Sequence, residues 1–409
     1  MLKTAGLQPV PMRTQMPIYA AGFFSNSLVD VASVVLPLWL ASVGVSTAMI
    51  GLVVGARNIL PFLFSIHGGA LMDRVGVRQI MIGCALMSAV VLPLVPVVSW
   101  IPAVIALQML NGYGSSMGWI GAQTCFGRLL SGSATYAGRF SFCLRLGSFS
   151  GPPIAGLAWD YVGVWGAFTV LSIWAAGIAV SAMFITTDAD GSTAERRKLR
   201  WGDLIPRLSD YRDAVFMAAE PAMQTVLLIT VMRIAASSVQ DSFYPVYLHQ
   251  IGLPATQIGL LVTCCSALGA VSSLWVGYTT RYMSPLWVLI WTTFGSIFFV
   301  SITPSLDGFW MLGAAAALRG LCMGLSQPLM LSILADAAGS GALARGAALR
   351  TTANRVASAV TPISMGSVAT VAGLGASFYV IGAGLALVMA LISIRVMRRP
   401  DIDAGAREG

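Results

Sequence analysis

Hydrophobic residues along this chain form long, nearly uninterrupted stretches that are separated by short polar segments. A helix needs about 20 mostly apolar residues to cross the hydrocarbon core of a bilayer. Twelve stretches have suitable lengths, and each predicts a membrane-spanning helix. They cover residues 17–41, 48–71, 79–98, 101–124, 139–158, 164–186, 222–247, 256–279, 285–303, 309–335, 347–371 and 374–396.

One polar segment, residues 187–220, is longer than the others and rich in charge. It separates six predicted spans from six, which is typical of a linker between two halves that move against each other. The pattern predicts an all-α integral membrane fold, with twelve transmembrane helices in two pseudo-symmetric six-helix bundles. We expect an N-terminal bundle at 1–186, a cytoplasmic linker at 187–220, and a C-terminal bundle with a cytoplasmic tail at 221–409.

The two halves also share sequence at a nearly constant spacing. Residues 37–52 (PLWLASVGVSTAMIGL) match residues 245–260 (PVYLHQIGLPATQIGL) at an offset of 208. The identical pairs are Pro37 and Pro245, Leu40 and Leu248, Gly44 and Gly252, Ile50 and Ile258, Gly51 and Gly259, and Leu52 and Leu260. In the fifth and eleventh spans, Arg145, Ser148 and Pro152 keep the spacing of Arg355, Ser358 and Pro362. These positions indicate homologous halves, with a substrate site expected between them near the membrane midplane.

Composition and charge agree with a membrane location. Hydrophobic residues make up 57% of the chain and charged residues 10%, whereas soluble domains contain about 25% charged residues. The cations fall on alternate predicted loops, and the predicted outside loops contain no Lys or Arg, only Asp160, Asp307 and His249. By the positive-inside rule, both termini are expected in the cytoplasm, at a bacterial inner membrane. The expected partners are the lipid bilayer, protons and a small-molecule substrate; no nucleic acid is expected, and the protein is predicted to be a monomer.

The loop after the second predicted span reads GALMDRVGVRQIM, residues 69–81. Its key positions are Gly69, Leu71, Asp73, Arg74, Gly76 and Arg78. They resemble the loop signature G-x-L-x-D-R-x-G-R-R of the major facilitator superfamily, from which Val77 departs. Gly69 and Gly76 suit a close helix approach and a tight turn. The resemblance implies that this cluster latches the two halves on the cytoplasmic side; the alternative is an ordinary cytoplasmic turn.

The fifth predicted span reads RLGSFSGPPIAG, residues 145–156. Gly147, Gly151, Pro152 and Gly156 resemble the antiporter motif G-x-x-x-G-P-x-x-G of drug:proton exporters in the same superfamily. This resemblance implies export by antiport, and the alternative is plain helix packing, because Gly and Pro are frequent in membrane helices. In the fourth span, Gln108 occupies the position where many antiporters carry Arg.

Seven charged residues are expected at bilayer depth, where each costs at least a few kcal/mol and is therefore a functional candidate. They are Asp30, Arg57, Arg145, Arg233, Asp241, Arg319 and Arg355. Asp30 and Arg57 are expected at similar depth on adjacent spans, which predicts either a structural ion pair or a proton carrier, Asp30, that Arg57 regulates. We assign proton coupling to these two residues and Asp241.

Among these seven residues, arginines outnumber aspartates by five to two. This excess predicts that an anionic group of the substrate enters the membrane. The predicted substrate cavity contains Arg233, Arg319, Arg145, Arg355, Gln108 and Tyr244.

Other energy sources and chemistries have little support in the sequence. The two lysines, Lys3 and Lys198, do not follow glycine-rich loops, which argues against a P-loop pump. Two histidines and no clustered carboxylates argue against an enzyme, a metal site or a cofactor. We therefore predict a proton-coupled exporter of a small organic solute, such as a drug, a siderophore or another anionic metabolite. The alternatives are a proton-symport importer and a non-transporting membrane sensor on a transporter fold.

Overall fold

The computed structural model describes residues 10–98, 100–130, 134–186, 221–338 and 343–398. Within these ranges the chain consists of helices joined by short turns, without a β-strand. Eight helical stretches are long enough and apolar enough to cross a bilayer. These helices confirm the expectation of an all-helical membrane protein. The predicted linker at 187–220 lies outside the described residues.

The helices are numbered in chain order. Before the linker they are α1 (Met12–Ser42), α2 (Thr47–Ala56), α3 (Ile59–Val75), α4 (Val77–Leu94), α5 (Ile101–Leu129), α6 (Ala134–Val162) and α7 (Val164–Met183). After it they are α8 (Pro221–Ser242), α9 (Tyr244–Gln250), α10 (Ala255–Ser272), α11 (Val276–Thr279), α12 (Pro285–Ser301), α13 (Phe309–Ala338), α14 (Leu343–Ala372) and α15 (Leu374–Arg398).

The second predicted span, residues 48–71, is broken into α2 and α3. The break lies at Arg57 and Asn58. Pro61 explains it, because a proline lacks the N–H that would bond to the carbonyl four residues earlier, here that of Arg57, and its ring crowds that carbonyl.

The seventh predicted span, residues 222–247, has the same kind of break. It forms α8 and α9, which are separated at Phe243. Pro245 lies at the start of α9 and four residues after Asp241, so the regular hydrogen-bond pattern ends at this aspartate. Both breaks therefore occur beside residues that the sequence assigns to proton coupling.

The helices before the linker are called here the first helix group, and those after it the second helix group. Among the first seven, α1 contacts α5, α6 and α7, and α4 contacts α5 and α7. Among the later helices, α13 contacts α10 and α12, and α14 contacts α8 and α15. The extensive contacts between the groups are those of α2 with α14 and of α6 with α10.

Glycine permits both of these connections. Gly51 on α2 faces the backbone carbonyl of Pro362 on α14, and Gly259 on α10 faces that of Pro152 on α6. A Cβ atom at either glycine would overlap the carbonyl group, so the helices approach at a distance that only glycine allows. The sequence repeat relates the two contacts, because Gly51 aligns with Gly259 and Pro152 with Pro362.

Polar contacts close the two helix pairs at the ends that the sequence assigns to the outside. Thr47 Oγ1 at the start of α2 lies 2.9 Å from Thr370 Oγ1 on α14. At the other pair, the Asp160 carboxylate accepts hydrogen bonds from the N–H groups of Ala255 (3.0 Å) and Thr256 (2.8 Å). The Thr256 hydroxyl adds a third bond at 2.6 Å. Asp160 therefore caps the N-terminus of α10 from a neighbouring helix, where negative charge is favourable.

Candidate functional site

Two adjoining cavities lie between the helix groups. The larger, called here the central cavity, has a volume of about 750 Å³. The smaller, the side cavity, has a volume of about 300 Å³. The residues that line both are Asn26, Asp30, Trp119 and Asp241. A volume of several hundred Å³ suits a drug-sized solute, since ligand sites commonly measure about 300–1,000 Å³.

The two aspartates of the shared wall come from different helix groups. Asp30 lies on α1 and Asp241 on α8, and they are close enough to interact electrostatically. Ser148 on α6 lies within hydrogen-bonding reach of Asp30, and its hydroxyl accepts a 3.0 Å bond from the Asn26 amide. A pair of carboxyl groups with polar neighbours at a cavity wall is suited to binding and releasing protons.

Arg57 interacts electrostatically with both aspartates. It lines the side cavity at the break between α2 and α3, and it interacts most strongly with Asp241 and next with Asp30. Helix α5 packs directly against the Arg57 carbonyl at Gly112, because a Cβ atom at this glycine would overlap the carbonyl oxygen. The sequence predicted a pair, Asp30 and Arg57, from their similar depth. The structure adds a third charge, Asp241, from the second half of the chain.

Arg355 is held by neutral partners. Its guanidinium donates hydrogen bonds to Ser116 Oγ at 3.0 Å and to Asn58 Oδ1 at 3.4 Å. The Asn58 amide in turn donates to the Ser358 carbonyl at 3.3 Å. Arg355 therefore connects α14 to α5 and to the break after α2. Its repeat counterpart, Arg145, lines the central cavity and interacts electrostatically with Asp30.

Arg319 and Arg233 both line the central cavity and are almost completely buried. Arg319 on α13 is 4% exposed and Arg233 on α8 is 5% exposed. Arg319 donates hydrogen bonds to the Ala236 carbonyl at 3.3 Å and to Cys265 Sγ at 3.5 Å. The Nε atoms of both arginines find no hydrogen-bond partner in the described part of the chain.

The remaining predicted cavity residues lie elsewhere. Gln108 is buried on α5 but belongs to the walls of neither the central nor the side cavity. Tyr244 is also buried, and it borders a narrow cleft together with Gln240 and Arg319. Since Gln240 and Arg319 line the central cavity as well, Tyr244 stands directly behind its wall.

The predicted cytoplasmic latch is described only in part. Gly76 has a φ of +111°, a backbone conformation that favours glycine, so it forms the turn between α3 and α4 as expected. Arg78 donates a 3.4 Å hydrogen bond to the Ile185 carbonyl at the end of α7. The side chains of Asp73 and Arg74 lie outside the described part. At Gly69 the expected close helix approach is not found, because a Cβ atom there would have open space among the described residues.

The four residues that resemble the antiporter motif face two different helices. Gly147 and Gly151 pack against α1, where a Cβ atom would meet the backbone and side chains of that helix. Gly156 and Pro152 face α10 in the close contact described above. The motif therefore holds α6 between the helix that carries Asp30 and a helix of the other group.

Comparison with known proteins agrees with the motifs. The sequence pattern of the Major Facilitator Superfamily matches residues 18–232 and 226–409. The enterobactin exporter EntS of Salmonella typhi is 24% identical over 415 residues, which cover 95% of each chain. An uncharacterized MFS-type transporter, YqjV of Bacillus subtilis, is 25% identical over 117 residues, or 28% of each chain.

Solved structures show the same fold. The nucleoside transporter NupG superimposes with a TM-score of 0.75 at 14% identity, covering 93% of this chain and 98% of that one. The peptide transporter POT in complex with sulfate gives a TM-score of 0.75 at 14% identity, covering 97% and 96%. The superfamily that residues 69–81 indicated is confirmed by the sequence pattern that matches residues 18–232 and 226–409. This integral membrane protein belongs to the major facilitator superfamily of transporters.

Proposed function

We propose that this protein exports a small organic solute with an anionic group, such as a drug, a siderophore or another metabolite, in exchange for protons. Two six-helix bundles, 1–186 and 221–409, rock about the central cavity, while the segment 187–220 joins them in the cytoplasm. The protein lies in a bacterial inner membrane with both termini cytoplasmic. The observation that carries the proposal is the placement of Asp30 and Asp241, one from each half, on the wall of a solute-sized cavity.

Exchange requires that proton and cargo bind in mutually exclusive ways. The ionised Asp30 and Asp241 accept hydrogen bonds from donor groups of the cargo, and protonation removes that acceptor strength. Arg57 lies beside both carboxylates and stabilises their ionised forms while cargo is bound. A cargo with hydrogen-bond donors at one end and an anionic group at the other satisfies both requirements.

Three further observations favour export. The relatives that match 95% of this chain are named enterobactin exporters, at 24% identity. Two of the residues that resemble the antiporter motif, Pro152 and Gly156, make the close contact between α6 and α10. Both contacts between the helix groups are closed by polar residues at the predicted outer ends of the helices. Toward the predicted inner ends, the central cavity is lined by Phe126, Phe140 and Gln327. With this orientation the cavity faces the cytoplasm and is ready to load cargo for export.

Solute flux in proteoliposomes with an imposed pH gradient of each sign tests the proposal. Enterobactin, the compound that names the relatives, is the first cargo to measure. We expect cargo to move against the direction of proton flow, and we expect Asp30→Asn to abolish this dependence on the gradient. Asp307→Asn is the matched control, because Asp307 is exposed in a predicted outside loop.

The excess of arginines around the acidic pair favours one competing function, import by proton symport. An anionic cargo placed directly beside the carboxylates would favour their protonation, so that proton and cargo would travel together. The same experiment separates the two functions, since symport moves cargo with the proton flow. A complete lack of flux with bound cargo would instead favour the sensor alternative.

A further inference from the structure

The charges around the central cavity are distributed unevenly. Asp30 and Asp241 lie on the wall that is shared with the side cavity, and Arg57 and Arg145 interact with them. Arg233 also lines the central cavity, but neither aspartate is among the charged groups that act on it. The cavity therefore has an acidic region and a separate basic region.

Arg233 and Asp241 lie on the same helix, α8, eight residues apart. About two helical turns, or roughly 12 Å of helix, separate the two charges at 1.5 Å per residue. Arg233 is therefore too far along the helix to pair directly with Asp241. Ser237, which lies midway between them and also lines the cavity, is uncharged.

Arg233 differs from Arg319 in its surroundings. Arg319 donates two hydrogen bonds and interacts electrostatically with Asp241. The charged group that acts on Arg233 within the described structure is a second cation, Arg350 on α14. The Nε atoms of Arg233 and Arg350 are both buried without a hydrogen-bond partner among the described residues. A buried cation beside another cation is strongly unfavourable unless an anion joins them.

Aromatic side chains provide an apolar surface in the same cavity. Trp119 and Phe126 on α5 and Phe140 on α6 line it, and the rings of Phe126 and Phe140 stack at 4.7 Å between centroids. Such a surface suits the ring or hydrocarbon body of an organic molecule rather than a small inorganic ion.

We propose that Arg233, supported by Arg350, is the anion subsite of the central cavity. It binds the carboxylate, sulfonate or phosphate group of an organic anion whose apolar body lies against the aromatic side chains. Guanidinium groups suit this role because their planar N–H donors match two oxygens of such a group. This subsite deepens the proposed function and rests on it for the identity of the cavity as the cargo site.

Binding to the purified protein in nanodiscs tests the subsite without any gradient. The probes are naphthalene-2-sulfonate, its neutral analogue naphthalene-2-sulfonamide, and 2-naphthylmethylammonium, each measured by calorimetry at matched ionic strength. We expect the sulfonate to bind most tightly. Arg233→Gln should weaken sulfonate binding by roughly tenfold to a hundredfold, in line with the loss of a hydrogen bond to a charged group. The affinity for the sulfonamide should change little.

Two variants serve as controls. Arg233→Lys keeps the charge and should retain the preference for the sulfonate, which separates loss of the cation from misfolding. Arg281→Gln removes one cation from an exposed position and should bind like the parent protein. An equal loss of sulfonate and sulfonamide binding in Arg233→Gln would overturn the proposal, as would a parent protein without preference for the sulfonate. Because no proton gradient is present, these outcomes are independent of whether proton-driven exchange is observed.

Discussion

Arg57 is the side chain that connects the acidic groups of the two halves. It interacts with Asp241 as well as with Asp30, and its backbone carbonyl is in close contact with α5 at Gly112. The arginine thus has a fixed backbone position at a helix break, while its charge is shared between two carboxylates. A change in the protonation of either carboxylate therefore changes the electrostatic environment of Arg57.

The charge cluster predicts non-additive effects on stability. Arg57→Gln removes the cation that acts on both Asp241 and Asp30, whereas Asp241→Asn leaves Arg57 with Asp30. We expect the larger loss for Arg57→Gln, up to the roughly 3–5 kcal/mol that breaking a buried pair costs. The double variant removes both charges and should be more stable than the sum of the two single losses implies. Thermal unfolding in nanodiscs measures all four proteins, with Asp307→Asn as a control for an exposed acid. Strictly additive losses would show that Arg57 and Asp241 do not interact.

At the scale of helices, glycine determines how closely the two groups approach. Gly51 and Gly259 occupy equivalent places in the repeat, and each faces the carbonyl of an equivalent proline. The antiporter-like residues Gly156 and Pro152 belong to one of these contacts. Their resemblance to a transport motif and their role in helix packing are therefore compatible interpretations of the same residues.

A larger residue at this contact should weaken it. Gly259→Val would place methyl groups against the Pro152 backbone, and overpacking of this kind costs about 1–3 kcal/mol. Gly384→Val is the matched control, since a Cβ atom there has open space among the described residues. We expect a lower unfolding temperature for Gly259→Val and little change for Gly384→Val. Equal effects would mean that the contact between α6 and α10 is not sensitive to size.

At the scale of the whole molecule, two distant polar contacts close the same side of the cavity. Thr47 and Thr370 join α2 to α14, and Asp160 joins α6 to the start of α10. If the halves rock as rigid bodies, the two contacts must open together. Loosening one contact then changes the other without any direct link between them.

Disulfide crosslinking tests this coupling. The pair Thr47→Cys and Thr370→Cys should crosslink efficiently when the cavity faces the cytoplasm. Adding Asp160→Asn weakens the cap on α10, a change of about 0.5–2 kcal/mol, and should reduce the crosslinking yield at the distant α2–α14 contact. Asp307→Asn should leave the yield unchanged. A yield that does not respond to Asp160→Asn would show that the two contacts open independently.

The amino-acid sequence by itself determined the class of protein and its all-helical membrane fold. A bilayer requires about 20 apolar residues per crossing, and this requirement is readable in a single sequence. The charges within those helices, such as Asp30 and Arg233, were also evident, because each is costly in an apolar environment. Residues 69–81 identified the superfamily through local motif positions.

The tertiary structure decided which of these residues meet. It separated Gln108 from the cavity walls and placed Asp241 near Arg57 from the other half. Arg355 and Arg233 each have a second arginine nearby, but Arg355 donates hydrogen bonds to Ser116 and Asn58, whereas Arg233 Nε has no partner among the described residues. The rotation and register of helices far apart in sequence control such contacts, and hydropathy does not encode them. Nearby prolines in the sequence indicate the helix breaks beside Arg57 and Asp241. Only the packing of the helices shows that both breaks lie at the same cavity.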